Sequence, residues 1–153
     1  MSEGIRRIVT GLDEQGRSTV LFDDRIALTR GETKLIWTTE GIPADNAGRA
    51  DTAARPFTFD DMKHPGSVFL VTRMEAGDTA AGPLMHATDT LDHLVVISGR
   101  VLLQLEEGSV TLGPGDCIVD RGVVHGWQVI GDEPLIMTNV LVPSIPVGAG
   151  ASI

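Results

Sequence analysis

The chain has 153 residues, the size of one domain with its own core. Twelve Lys and Arg against twenty-one Asp and Glu leave a formal charge of −9, which repels phosphate backbones and anionic lipid and argues against nucleic acid and membrane as partners. The lone Cys117 excludes an intramolecular disulfide; with no signal-type apolar core near residue 1 and no membrane-length apolar run, a cytoplasmic protein is expected.

In chain order, short strands are predicted at 5–10, 18–22 and 34–39, separated by turn chemistry at 13–16 and 29–31. GIPADNAGRADTAARP, residues 41–56, has no periodicity. A loop of this length inside one domain is a lid, an arm reaching a partner, or a disordered stretch, and the residues do not choose among them. From Gly66 the pattern is regular: SVFLVTRME, HLVVIS, RVLLQLEE, SVTLG, DCIVD, VVHGWQVI and LIMTNVLV, punctuated by glycine turns. Strands at this spacing predict an all-β sandwich or barrel without helices of useful length. One domain over 1–153 is expected, with N-terminal strands and the long loop in 1–65, the barrel in 66–142 and a loosely held tail in 143–153.

Strand alternation also says which side chains face inward. In LMHAT, residues 84, 86 and 88 share a side; in VHGWQV, His125, Trp127 and Val129 share an uncharged one. His86 and His125 are therefore expected to look into the barrel.

MHATDTLDH followed by DRGVVHGW resembles the two motifs of the cupin superfamily, small β-barrels of the double-stranded β-helix (jelly-roll) type. The first maps onto His86, Thr88, Asp92 and Gly99, the second onto Gly115, Gly122 and His125. More narrowly, the chain resembles small single-domain bacterial and fungal cupins reading M-H-x-T-D-T-x-D and R-G-x-x-H-x-W. Arg6-Arg7-Ile8-Val9-Thr10-Gly11 and Pro43-Ala44-Asp45-Asn46 match their N-terminal segments. There are departures from the family pattern. Thr88 stands for the second histidine, Asp92 for the glutamate, Arg121 for the proline, Val129 for the closing asparagine and Ala80 for a glycine.

The resemblance implies a divalent metal ion (Fe, Zn, Mn or Ni) held by His86, Asp92 and His125, one ligand fewer than the family's usual four. Two imidazoles and a carboxylate with open positions are the composition of a catalytic rather than a structural metal site. Each residue also has a plainer reading. The histidines could be satisfied pocket residues, and Asp92 could cap the start of its strand. Asp89 is a candidate acid or base, or an Asx-type turn. His93, next to Asp92, should face the opposite side of its strand and so reads as structural unless a bulge intervenes. Thr88 and Trp127 are expected in a pocket wall suited to a planar ligand. Cys117 is expected to be a small buried hydrophobe; His64 has no partner in the pattern.

The resemblance leads to a metal-dependent, redox-neutral enzyme of lyase, decarboxylase or isomerase type, acting on a small organic acid or polyketide-like molecule. A non-haem iron dioxygenase and a non-catalytic small-molecule-binding barrel are the alternatives. It also implies a homodimer formed through the N-terminal strands.

Overall fold

A computed structural model of the chain describes residues 4–148. Ten strands are present, at every position where the pattern places one: β1 (Ile5–Leu12), β2 (Ser18–Ile26), β3 (Thr33–Thr38), β4 (Val68–Met74), β5 (Thr90–Ser98), β6 (Arg100–Leu105), β7 (Ser109–Leu112), β8 (Cys117–Asp120), β9 (His125–Ile130) and β10 (Leu135–Pro143). The helical content among the described residues is two short 3-10 turns, Phe59–Lys63 and Ala76–Thr79. Strands β1 and β2 form a hairpin sheet of their own. The barrel is a five-stranded sheet, β3-β4-β10-β5-β8, facing a three-stranded one, β7-β6-β9. This is an all-β, double-stranded β-helix barrel with extra N-terminal strands, as expected.

Alternation sets the core. On β5, Thr90, Asp92, Leu94 and Val96 are buried while His93, Val95 and Ile97 are exposed. Leu94 and Val96 meet Val101, Leu103, Val129 and Leu135 between the two sheets. Each fully buried aliphatic side chain of this kind contributes about 1.5–3 kcal/mol. Leu35, Val68, Leu70 and Leu141 form a second cluster, onto which Ala53, Phe57 and Met62 fold. A third, built on Leu28, Ile36 and Val71, covers the outer side of β3 and β4.

The loop 41–56 is anchored at its second half. Buried Arg7 donates to Asp51 Oδ1 and Oδ2 (2.9 and 2.7 Å) and to Asp24 Oδ1 (2.9 Å). Thr38 N donates to Thr52 Oγ1 at 3.0 Å. Arg55 then clamps Asp61, at 2.5 and 3.0 Å, across the turn that carries Phe57 and Phe59. The sequence could not find this, because the partners of Asp51 and Asp61 have no periodic signature.

Asp61 is 5% exposed, and hydrogen bonding from Arg55 outweighs burial to hold its carboxyl below the usual range. A depressed folded value means stability that is complete above the unfolded value, about 4, and lost as pH falls through the folded one. Asp61→Asn should therefore destabilise the parent at neutral pH and flatten the acid limb of its stability curve below about pH 4, read by urea unfolding. An acid limb identical to the parent's would show that another carboxylate sets it.

Cys117 corrects an expectation. It is exposed, on the outer side of β8, a face on which Val119 and the paired His93 and Val95 of β5 are exposed too, so no element covers it among the described residues. The tail expectation is tested only to Gly148; residues 149–153 lie outside the described chain.

Candidate functional site

The site is built where the segment before β5 is laid across the start of β9. His86 and His125 exchange both backbone hydrogen bonds, each at 2.8 Å. The paired residues project to the same side, leaving the two imidazole centroids 4.5 Å apart. Trp127, two residues along β9, packs its ring 5.4 Å from that of His125. Gly126 permits the close approach. A Cβ there would lie 2.8 Å from Pro83 Cβ, 2.8 Å from Met85 Sδ and 3.1 Å from the Leu84 carbonyl oxygen. Gly126→Ala should push the 83–86 segment off β9, at about 1–3 kcal/mol in urea unfolding; a midpoint equal to the parent's would contradict this packing.

The ring nitrogens have assignable roles. His86 Nδ1 lies 2.9 Å from the Leu84 carbonyl oxygen, and His125 Nδ1 lies 2.9 Å from that of Val123. A carbonyl only accepts, so each Nδ1 carries the hydrogen and each neutral ring keeps its Nε2 lone pair for other partners. His125 Nδ1 is also 2.6 Å from Asp120 Oδ2. That oxygen has no well-directed hydrogen bond, because the Nδ1 hydrogen is aimed at Val123. The contact is therefore electrostatic, and it is strongest when the ring is an imidazolium. Burial opposes charging His125, but Asp120 and the Val123 carbonyl outweigh it and raise its pKa. Burial dominates at His86 and lowers its pKa, with neighbouring His125 acting in the same direction. Asp120 is positioned by its own turn, Oδ1 accepting from Gly122 N and Val123 N at 3.0 and 3.2 Å.

Asp92 faces inward as the alternation requires. Its Oδ1 lies 2.5 Å from Thr90 Oγ1, and its Oδ2 accepts from Asn139 Nδ2 at 2.8 Å. Thr90 Oγ1 is also 2.8 Å from Thr88 Oγ1. Burial raises the Asp92 pKa, partly offset by the Asn139 and Thr90 hydrogen bonds. Asn139 Oδ1 is buried without a partner.

His86, Thr88, Asp92, His125, Trp127 and Asn139 line one cavity of about 220 Å³. Its other walls are mostly apolar, among them Phe57, Met62, Met74 and Met137, with the Thr33 and Thr72 hydroxyls hydrogen-bonded to each other at 3.0 Å. Five of the sequence candidates are thus brought together. Two are not. His93 is exposed on the outer side of β5, one residue out of register with Asp92, and no bulge turns it inward, so it has no place in the site. Asp89 is exposed outside the cavity, its carbonyl accepting from Ser144 N at 2.9 Å.

The implied metal set fares less well. A catalytic site of this class takes three protein ligands on one ion. Among the described residues, no three His, Cys, Asp or Glu side chains converge as a set able to hold a metal. The two imidazoles converge, with ring centroids 4.5 Å apart, and Asp92 does not complete a set of three with them. The residues as placed do not fit the implied three-donor ion.

The sequence reading missed Asp120 and Asn139. Asn139 carried a signal. It shares the inward register of β10 with Leu135, Met137 and Leu141, where an unexplained polar residue marks a cavity wall.

Residues 70–141 match the cupin domain family. The barrel is a cupin fold. The chain is 28% identical over 148 residues to a cupin-domain-containing oxidoreductase, srdD, of Neurospora crassa, covering 86% of this chain and 72% of that one. It is 30% identical over 105 residues to phomopsin biosynthesis cluster protein D of Diaporthe leptostromiformis. That alignment takes in 65% of this chain and 53% of the relative, about half its length. Among solved structures, a protein with a double-stranded β-helix domain from Klebsiella pneumoniae subsp. pneumoniae is 28% identical, with a TM-score of 0.45, covering 57% of this chain and 76% of that one.

Proposed function

We propose that this cupin is a redox-neutral enzyme that moves a proton on a small polyketide-like molecule, with His125 as the acid–base group and Asp120 positioning it. One observation carries the reading: the His125 ring is held on its Nδ1 side by Asp120 and Val123, while the ring lines an apolar cavity beside His86. An imidazole held in one tautomer, with a carboxylate behind it, is suited to taking a proton and to stabilising the imidazolium that results. In the step, His125 Nε2 takes a proton from a carbon next to a carbonyl. The C–H electron pair moves towards that carbonyl to give an enolate, and return of the proton to the same or another atom exchanges or isomerises the substrate.

The test uses 2-tetralone, a neutral enolisable ketone of suitable size. Its deuterium uptake in D₂O is followed by proton NMR with the protein, with His125→Gln and without protein. Acceleration by the parent that disappears in the variant is expected. Equal rates in parent and variant would overturn the reading.

The Neurospora relative is named an oxidoreductase, which favours a second reading, dioxygenase chemistry on iron. That reading needs Asp92 to converge with the two imidazoles. Oxygen uptake dependent on added iron would establish it in place of proton transfer.

A further inference from the structure

We infer that the ligand of this cavity is a planar molecule bearing a phenol or enol hydroxyl, and not a carboxylate. This rests on the reading of the cavity as a proton-transfer site and names what that site would take.

The first support is charge. Among the described residues no Lys or Arg lines the cavity, whereas Asp92 does, and Asp120 lies directly behind His125. A carboxylate ligand would enter an apolar space with no fixed cation and two acidic neighbours, losing hydration without a partner. The organic-acid half of the sequence expectation is therefore disfavoured.

The second is the inventory of donors and acceptors at the polar end. His86 and His125 each commit the Nδ1 hydrogen to a backbone carbonyl, so each neutral ring presents an acceptor at Nε2. Asn139 gives one of its two amide hydrogens to Asp92 and keeps a buried, unpartnered carbonyl oxygen. Acceptors on three side chains of one cavity favour a ligand that supplies hydrogen, above all at Asn139 Oδ1, which is buried without a partner. An enol or phenol O–H supplies it, and an ether or ester oxygen does not. A protonated His125 still leaves His86 Nε2 and Asn139 Oδ1 as acceptors.

The third is shape. A cavity of about 150 Å³ lined by aliphatic and aromatic groups takes a benzene. The 220 Å³ here, walled by Phe57, Met62, Met137 and Trp127, holds a ring with a few further atoms. Thioether and aromatic walls favour a flat π-face.

The experiment is calorimetric titration of the full chain at pH 7.5 with four matched probes: 4-ethylphenol, 4-ethylanisole, 4-ethylbenzoate and 4-ethylbenzylammonium. The phenol should bind about tenfold or more tightly than each of the others. Asn139→Leu and His86→Phe should each shrink the phenol-over-anisole ratio; two variants are named so that one that fails to fold leaves the other. Benzoate or ammonium binding at least as tightly as phenol overturns the inference, as do equal affinities for phenol and anisole, or no binding of phenol at millimolar concentration. The two readings fail separately. Tetralone exchange with a benzoate preference overturns only the ligand class. A phenol preference without exchange overturns only the proton transfer.

Discussion

Asp120→Asn should slow proton transfer in the cavity by about 10²–10³-fold while leaving the barrel folded. Asparagine keeps the oxygen that accepts from Gly122 N and Val123 N, so the turn before β9 survives. What changes is the group 2.6 Å from His125 Nδ1. An amide NH₂ there opposes the Nδ1 hydrogen, competes with Val123 for the ring and favours the tautomer that puts N–H, not a lone pair, at Nε2. Loss of the carboxylate also removes the main influence raising the His125 pKa. A base acts when neutral, so the parent's rate should climb with pH through a raised value, and the variant's residual rate should climb at lower pH. A profile unmoved in pH would reduce Asp120 to a turn residue, since a purely structural defect lowers the rate without shifting its midpoint.

Arg7→Met should cost about 2–3 kcal/mol, one of the largest losses available outside the core. The guanidinium is buried and satisfies Asp51 and Asp24 at once, with a further 3.3 Å contact to the Ile36 carbonyl. Removing it leaves Asp51, which is 21% exposed, with an unpaired charge; Asp24, at 45%, recovers water, which keeps the cost below that of a fully buried pair. The variant should also bind cavity ligands more weakly, because Asp51 holds the loop that leads to Phe57 and Phe59. The urea midpoint and the 4-ethylphenol affinity read the two effects. A loss below about 0.5 kcal/mol would mean that the ion pairs recover in water what they lose in the protein.

What the sequence revealed follows from period two. Inward and outward positions on a strand are fixed by parity, so His86, His125 and Trp127 could be placed inside, and His93 on the side opposite to Asp92, from the sequence alone. Parity says nothing of which inward groups touch. That Asp92 turns to Asn139, and that Asp120 stands behind His125, depend on the pairing of β5 with β10 and on the turn from β8 into β9, which join residues 47 and five positions apart. Motif spacing implied a ligand triad for the same reason. It counts coordinating residue types and not whether their side chains converge. Cys117 shows the converse limit, since alternation gives a side chain's direction but not whether a neighbouring element covers it.

The most direct test of a metal-independent proton-transfer site is elemental analysis of the purified protein, made without chelator, beside the tetralone exchange rate before and after dialysis against EDTA. Metal below about 0.1 equivalent and an exchange rate unchanged by chelation are predicted, since a site lacking its third ligand should not retain an ion. About one equivalent of iron, zinc, manganese or nickel, lost in His86→Ala and His125→Ala together with the activity, would contradict the account and restore the triad.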